Sequence, residues 1–140
     1  MSTIENISIS IAGPDDMLTG QAEAVLTEVA EMLRRLIEQN IEDSIDLRSL
    51  PLSTVDRKWL DRQLGHGEVE ILLEAGGRSV MTETAYPGVW RITHRDGQDR
   101  VVAEFVEVAW VPNIVKPDAG DVKKGYESLL LKLDGKSAGA

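Results

Sequence analysis

Between Thr19 and Asn40 the apolar positions fall at Ala22, Val25, Leu26, Val29, Met32, Leu33, Leu36 and Ile37. Steps of three and four place them on one stripe, which predicts a long amphipathic helix facing a core. Glu23, Glu28, Glu31 and Arg35 lie mainly outside that stripe, and Thr19 suits the N-cap. Ile41 to Leu52 reads as a connector held against the core by Leu47, Leu50 and Leu52. A shorter helix is expected from Thr54 to Leu64, with Ser53 as N-cap, Asp56 at the N3 place of a capping box and Gly65 as the C-terminal cap.

After Gly67 the period changes to two. Val69, Ile71 and Leu73 alternate with Glu68, Glu70 and Glu74, apart from Leu72, as in a strand with one wet face. Gly76-Gly77 signals a hairpin turn; Ser79 to Ala85, Val89 to His94 and Val101 to Val108 supply three more strands, with Asp96-Gly97 turning between the last two. Short connections imply an antiparallel meander. Pro87-Gly88 suits the centre of a type II turn, but two-residue hairpins prefer primed turns, so a bend or bulge at a sheet edge is expected there. Asp118 to Leu133 patterns as a last helix with Val122, Tyr126, Leu129, Leu130 and Leu133 inward, although Gly120 and Gly125 weaken it. The expected fold class is α+β: N-terminal helices packed on a four-stranded antiparallel meander sheet, with a C-terminal helix. Residues 1–140 are expected to form one domain, frayed at about 1–5 and 135–140.

Composition narrows the chemistry. The chain has 140 residues, 42% of them hydrophobic and 28% charged, which is ordinary for a folded domain. It has no cysteine, which excludes disulfides, thiolate ligands and thiol nucleophiles. No signal-peptide pattern and no run of about 20 apolar residues occurs, so a cytoplasmic protein that does not enter the membrane is expected. The net charge of −9 repels nucleic acid and anionic lipid and favours a basic partner surface; it equally serves solubility. His66 and His94 fall in different elements without metal-ligand spacing, and Gly65-His66-Gly67 lacks the third glycine of a phosphate cradle. No motif presents a serine nucleophile, and among 24 acids a carboxylate pair carries little information. No metal, no cofactor and no enzymatic activity are expected.

The aromatic residues say more. Tyr86, Trp90, Phe105 and Trp110 all belong to the strand region. Alternation puts Trp90, Ile92 and His94 on one face and Val89, Arg91 and Thr93 on the other. In the last strand Val102, Val106 and Val108 oppose Val101, Ala103 and Phe105, so both faces are apolar. One can pack on the helices; the other needs cover from the C-terminal segment, a second copy or a partner. The expected partner-binding segment is Glu83, Tyr86, Pro87, Gly88, Trp90 and Arg91, since Trp and Arg are enriched at binding hot spots. Glu104 and Glu107 would add acidic complementarity. Trp90 reads equally well as core.

Four stretches carry a family resemblance. Asp46-Leu-Arg-Ser-Leu-Pro-Leu, Leu64-Gly-His-Gly-Glu-Val, Glu83-Thr-Ala-Tyr-Pro-Gly-Val-Trp-Arg and Glu107-Val-Ala-Trp-Val-Pro resemble, in order and spacing, the HupH-type hydrogenase expression/formation proteins. The likeness runs from about Val25 to Leu133. It implies an accessory, chaperone-like role in maturation of nickel–iron uptake hydrogenase, with the iron–sulfur small subunit or its precursor as partner and other maturation factors nearby. Many members are about twice this length, so the chain resembles their C-terminal domain. Two other readings stand beside this one. The first is a small-molecule binder or small enzyme using the strand carboxylates with Arg91. The second is a structural domain that self-associates, as a homodimer, through the sheet face.

Overall fold

The computed structural model describes residues 17–138. Helix α1 spans Gln21–Gln39 and buries Ala22, Val25, Val29, Met32 and Leu36, the stripe read from the sequence. Its N-cap is Gly20, in a left-handed conformation, and not Thr19. Thr19 stands one residue earlier, where its hydroxyl accepts from Gln21 N at 3.2 Å. Helix α2, Thr54–Leu64, carries the expected capping box between Ser53 and Asp56 and ends at Gly65.

The sheet has five strands, not four: β1 Asp43–Asp46, β2 Glu70–Glu74, β3 Arg78–Glu83, β4 Val89–Arg95 and β5 Val101–Val108. The order is β1-β5-β4-β3-β2, and every pairing is antiparallel. β2 to β5 form the expected meander. The added strand lies in the expected connector, and its Ile45 pairs with Val106. Asp43-Ser-Ile-Asp46 has one apolar residue and no strand signature; pairing with the free edge of β5 makes it a strand. Registers fix two faces. Thr82, Arg91, Val106 and Ile45 align on one face, and Ile71, Met81, Ile92, Phe105 and Asp46 on the other.

The first face packs against α1 and α2, with Leu47, Leu60, Leu64, Val89, Val106 and Val108 in the core. On the second face Met81, Trp90 and Ile92 are buried among Ile71, Leu73, Phe105 and Val115. Val115 comes from the short 3-10 turn Asn113–Val115, which follows the fully buried Pro112. Cover on this face thus comes partly from residues just after the sheet.

Helix α3, Ala119–Ala138, runs further than the expected Asp118–Leu133, through most of the segment read as a frayed tail. Its stripe does not face inward. Val122, Tyr126, Leu129, Leu130 and Leu133 are 41–63% exposed, and every side chain from Asp121 to Lys136 is exposed. Periodicity located the stripe; it could not say that the segment after Pro112 would occupy the neighbouring sheet surface. Fraying at 1–5 lies outside the described residues.

Candidate functional site

Three of the four sequence motifs meet at one end of the sheet; the first, Asp46–Leu52, lies at the other end of β5, where Arg48 Nη1 donates to Val101 O. Thr84, buried, donates its backbone N–H to Val89 O at 3.0 Å, and its hydroxyl accepts from Tyr86 N at 3.1 Å. Val89 N donates to Tyr86 O at 2.9 Å, closing a type II turn with Pro87 and Gly88 at its centre and Gly88 at φ 93°. Ala85 N reaches Leu64 O at the end of α2, and Gly67 N reaches Glu83 O at 2.7 Å. The Glu83 carboxylate accepts from Glu68 N at 3.0 Å. Gly67 is required by this approach, because a Cβ there would lie 2.6 Å from Thr84 O. Ala109 N donates to Gly88 O at 2.9 Å, and the Trp90 indole N–H donates to Ala109 O at 3.1 Å. Trp110 in turn donates its indole N–H to Asn40 Oδ1, at the end of α1.

This network divides the candidate residues. Glu83, Trp90 and Glu107 align across β3, β4 and β5 on the second face. Trp90 is 5% exposed, so it belongs to the buried cluster of the second face and presents almost no surface of its own to a partner. Glu107 is half-buried and accepts from Asn113 N at 3.1 Å. Tyr86, 50% exposed, and Pro87 stand open at the bend. Trp110, 58% exposed, projects beside them; sequence reading missed it as a site residue, although it stands within the Glu107-Val-Ala-Trp-Val-Pro motif.

Arg91 and Glu104 lie on the opposite, helix-covered face. Glu104 Oε2 accepts from Arg57 Nη1 at 2.6 Å and from Arg91 Nη2 at 3.2 Å, and Arg91 Nε donates to Asp61 at 3.1 Å. Burial works to raise the Glu104 pKa, but the two guanidiniums outweigh it and hold the carboxyl below the usual range. This cluster ties α2 to the sheet. Arg57 and Asp61 were not singled out from sequence, since helical surface charges carry no mark of their long-range partners. A cleft of about 340 Å³ beside the cluster is lined by Asp61, His66, Thr82, Arg91 and Thr93.

The two histidines are separated. His94 lies on the second face, with Nδ1 2.7 Å from Ser79 Oγ and its ring edge-on to Phe105. His66 borders the cleft on the other face. Among the described residues no three His, Asp or Glu side chains gather as a metal site would need, and no helix is long and apolar enough to cross a membrane.

The arrangement defines an α+β domain: two helices cover one side of an antiparallel sheet, and aromatic and acidic groups gather at one sheet end. Residues 19–133 match the family described as HupH hydrogenase expression protein, C-terminal conserved region, and the chain belongs to that family. It is 32% identical over 118 residues to the hydrogenase expression/formation protein HupQ of Azotobacter chroococcum mcd 1, an overlap covering 83% of this chain and 41% of that protein. To hydrogenase-1 operon protein HyaF of Escherichia coli K12 it is 32% identical over 72 residues, 51% of this chain and 25% of HyaF. A solved structure of hydrogenase expression protein HupH from Thiobacillus denitrificans superposes with a TM-score of 0.79 at 44% identity, covering 84% of this chain and 98% of that one. The chain thus spans about two fifths of the length of full-length relatives such as HupQ.

Proposed function

We propose that this chain is a non-enzymatic accessory protein of nickel–iron hydrogenase maturation. In this reading it binds the iron–sulfur small subunit or its precursor in the cytoplasm. The family match over residues 19–133 is the observation that carries the reading. The bend end of the sheet is the contact surface. Tyr86, Pro87 and Trp110 supply exposed apolar area, and Glu83 and Glu107, flanking Trp90 in register, supply negative charge. Aromatic anchors with a charged rim are the usual composition of a recognition patch. Gly88 and Trp90 hold the bend in shape. Arg91 and Glu104 act from the other face by fixing α2 to β4 and β5.

The test is capture of the small-subunit precursor by the purified protein, compared among three forms. The parent should retain it. Tyr86→Ala/Trp110→Ala should lose at least tenfold in affinity with its thermal midpoint nearly unchanged, because both side chains are exposed. Arg91→Ala should lower the midpoint with little direct loss of capture by the folded fraction. No capture by the parent overturns the partner, and undiminished capture by the Tyr86/Trp110 variant overturns the surface.

A further inference from the structure

Among the described residues two surfaces stand without cover, an apolar stripe and a groove of opposite charge. The first is the stripe on α3. Val122, Tyr126, Leu129, Leu130 and Leu133 follow one helical face, all exposed. At 100° per residue, Lys123 and Lys136 flank the stripe closely on either side. Neither lysine has an ion pair among the described residues. Three glycines, Gly120, Gly125 and Gly135, weaken the helix by about 1 kcal/mol each relative to alanine. A lone helix of this composition is marginal in water, so its order calls for a covering surface.

The second surface is the groove on the open face of the sheet. It is about 390 Å³ and is lined by Ser44, Ile92, His94, Phe105, Glu107 and Ile114. Glu107 lines it and has no basic partner among the described residues; its carboxylate accepts only from the Asn113 backbone amide. Val122 to Leu133 spans about 17 Å along the helix. The stripe therefore offers apolar side chains to Ile92, Phe105 and Ile114, and its flanking lysines are opposite in sign to Glu107.

The stripe stays exposed over its length, so α3 does not occupy the groove of its own chain. Lys116 N donates to Asn113 O, and Lys116 Nζ pairs with Glu42 at 3.3 Å, beside the start of edge strand β1. Asp118 caps the helix, its carbonyl accepting from Val122 N and its side chain from Gly120 N. Only Pro117, with its fixed φ, separates these two anchors, too little chain for a reversal. We propose that two copies of this chain exchange α3 helices, each seating the Val122–Leu133 stripe in the open-face groove of the other. Such an exchange is isologous and closes at two copies.

Light scattering on the purified protein at about 50 µM should give twice the 15.4 kDa chain mass. Leu129→Asp/Leu133→Asp and Ile114→Asp should each weaken the dimer at least tenfold, while Leu131→Asp, on the far side of the helix, should not. The absence of native cysteine makes disulfide trapping specific: Leu129→Cys and Ile114→Cys chains, mixed and oxidised, should form the mixed disulfide. A parent that stays monomeric up to 200 µM overturns the proposal. So does a dimer insensitive to the helix variants. A Leu129→Cys chain that joins only to itself would show helix pairing with helix. A doubly substituted chain that closes only within itself would show the helix on its own groove. Either result refutes the exchange.

Discussion

Replacing Glu104 by Gln should destabilise the fold by about 2 kcal/mol at pH 7. The Glu104 side chain is 16% exposed and those of Arg91 and Arg57 are 20% and 31%, so the three charges share a partly dry space between α2 and the sheet. Removing the carboxylate charge leaves two guanidiniums facing each other. Arg91 keeps Asp61, which is half in water, and Arg57 keeps no acid in the cluster. Breaking a fully buried pair costs about 3–5 kcal/mol, and solvent access here reduces that by roughly half. At this chain length the loss corresponds to a fall of about 6–8 °C in thermal midpoint. Urea unfolding followed by far-UV circular dichroism should show a lower midpoint concentration with an unchanged slope. The effect must also depend on pH. The folded-state pKa of Glu104 is lowered, so its stabilisation is fully present above the unfolded value, about 4.3, and is lost as the pH falls through the folded value. Parent and variant should therefore converge as the pH falls below about 4. A difference under about 0.5 kcal/mol at pH 7, or a gap that persists undiminished at pH 3, would refute the account of this cluster.

Asp56, fully buried, accepts from Ser53 N and from both the backbone and the hydroxyl of Thr19; burial raises its pKa, but these donors outweigh it and lower the value overall. Asp56→Ala should cost about 2–3 kcal/mol in urea unfolding at pH 7, from the lost cap and stranded donors, and progressively less as acid protonates the parent. Gly67→Ala should cost about 1–3 kcal/mol, since its Cβ would meet the Thr84 carbonyl; an unchanged thermal midpoint would contradict that close approach. Trp90→Phe should cost about 1–2 kcal/mol by leaving Ala109 O without its indole donor, and amide exchange near Trp110 should quicken; protection unchanged there would show that Trp90 does not hold that strand end.

The elements legible in the sequence are those set by local chemistry. The three- and four-residue spacing from Ala22 to Leu36, the Ser53–Asp56 capping box and the alternation in β2 to β5 each encode their conformation within a few residues. The four motifs also carried the family. Strand β1 was not legible, because Asp43–Asp46 is extended only by pairing with β5, some sixty residues away. The division of the Glu83–Arg91 segment was legible only in part. Alternation separated Trp90 from Arg91, but the sequence could not show that Trp90 is roofed over while Trp110 stands open, nor that Arg91 closes a charge cluster with α2. The stripe on α3 is the sharpest case. Sequence determines that such a helix has an apolar side, because that depends on residues one turn apart. Which surface the side meets depends on where Pro112 to Asp118 carries the chain after the sheet, and only the tertiary structure decides that.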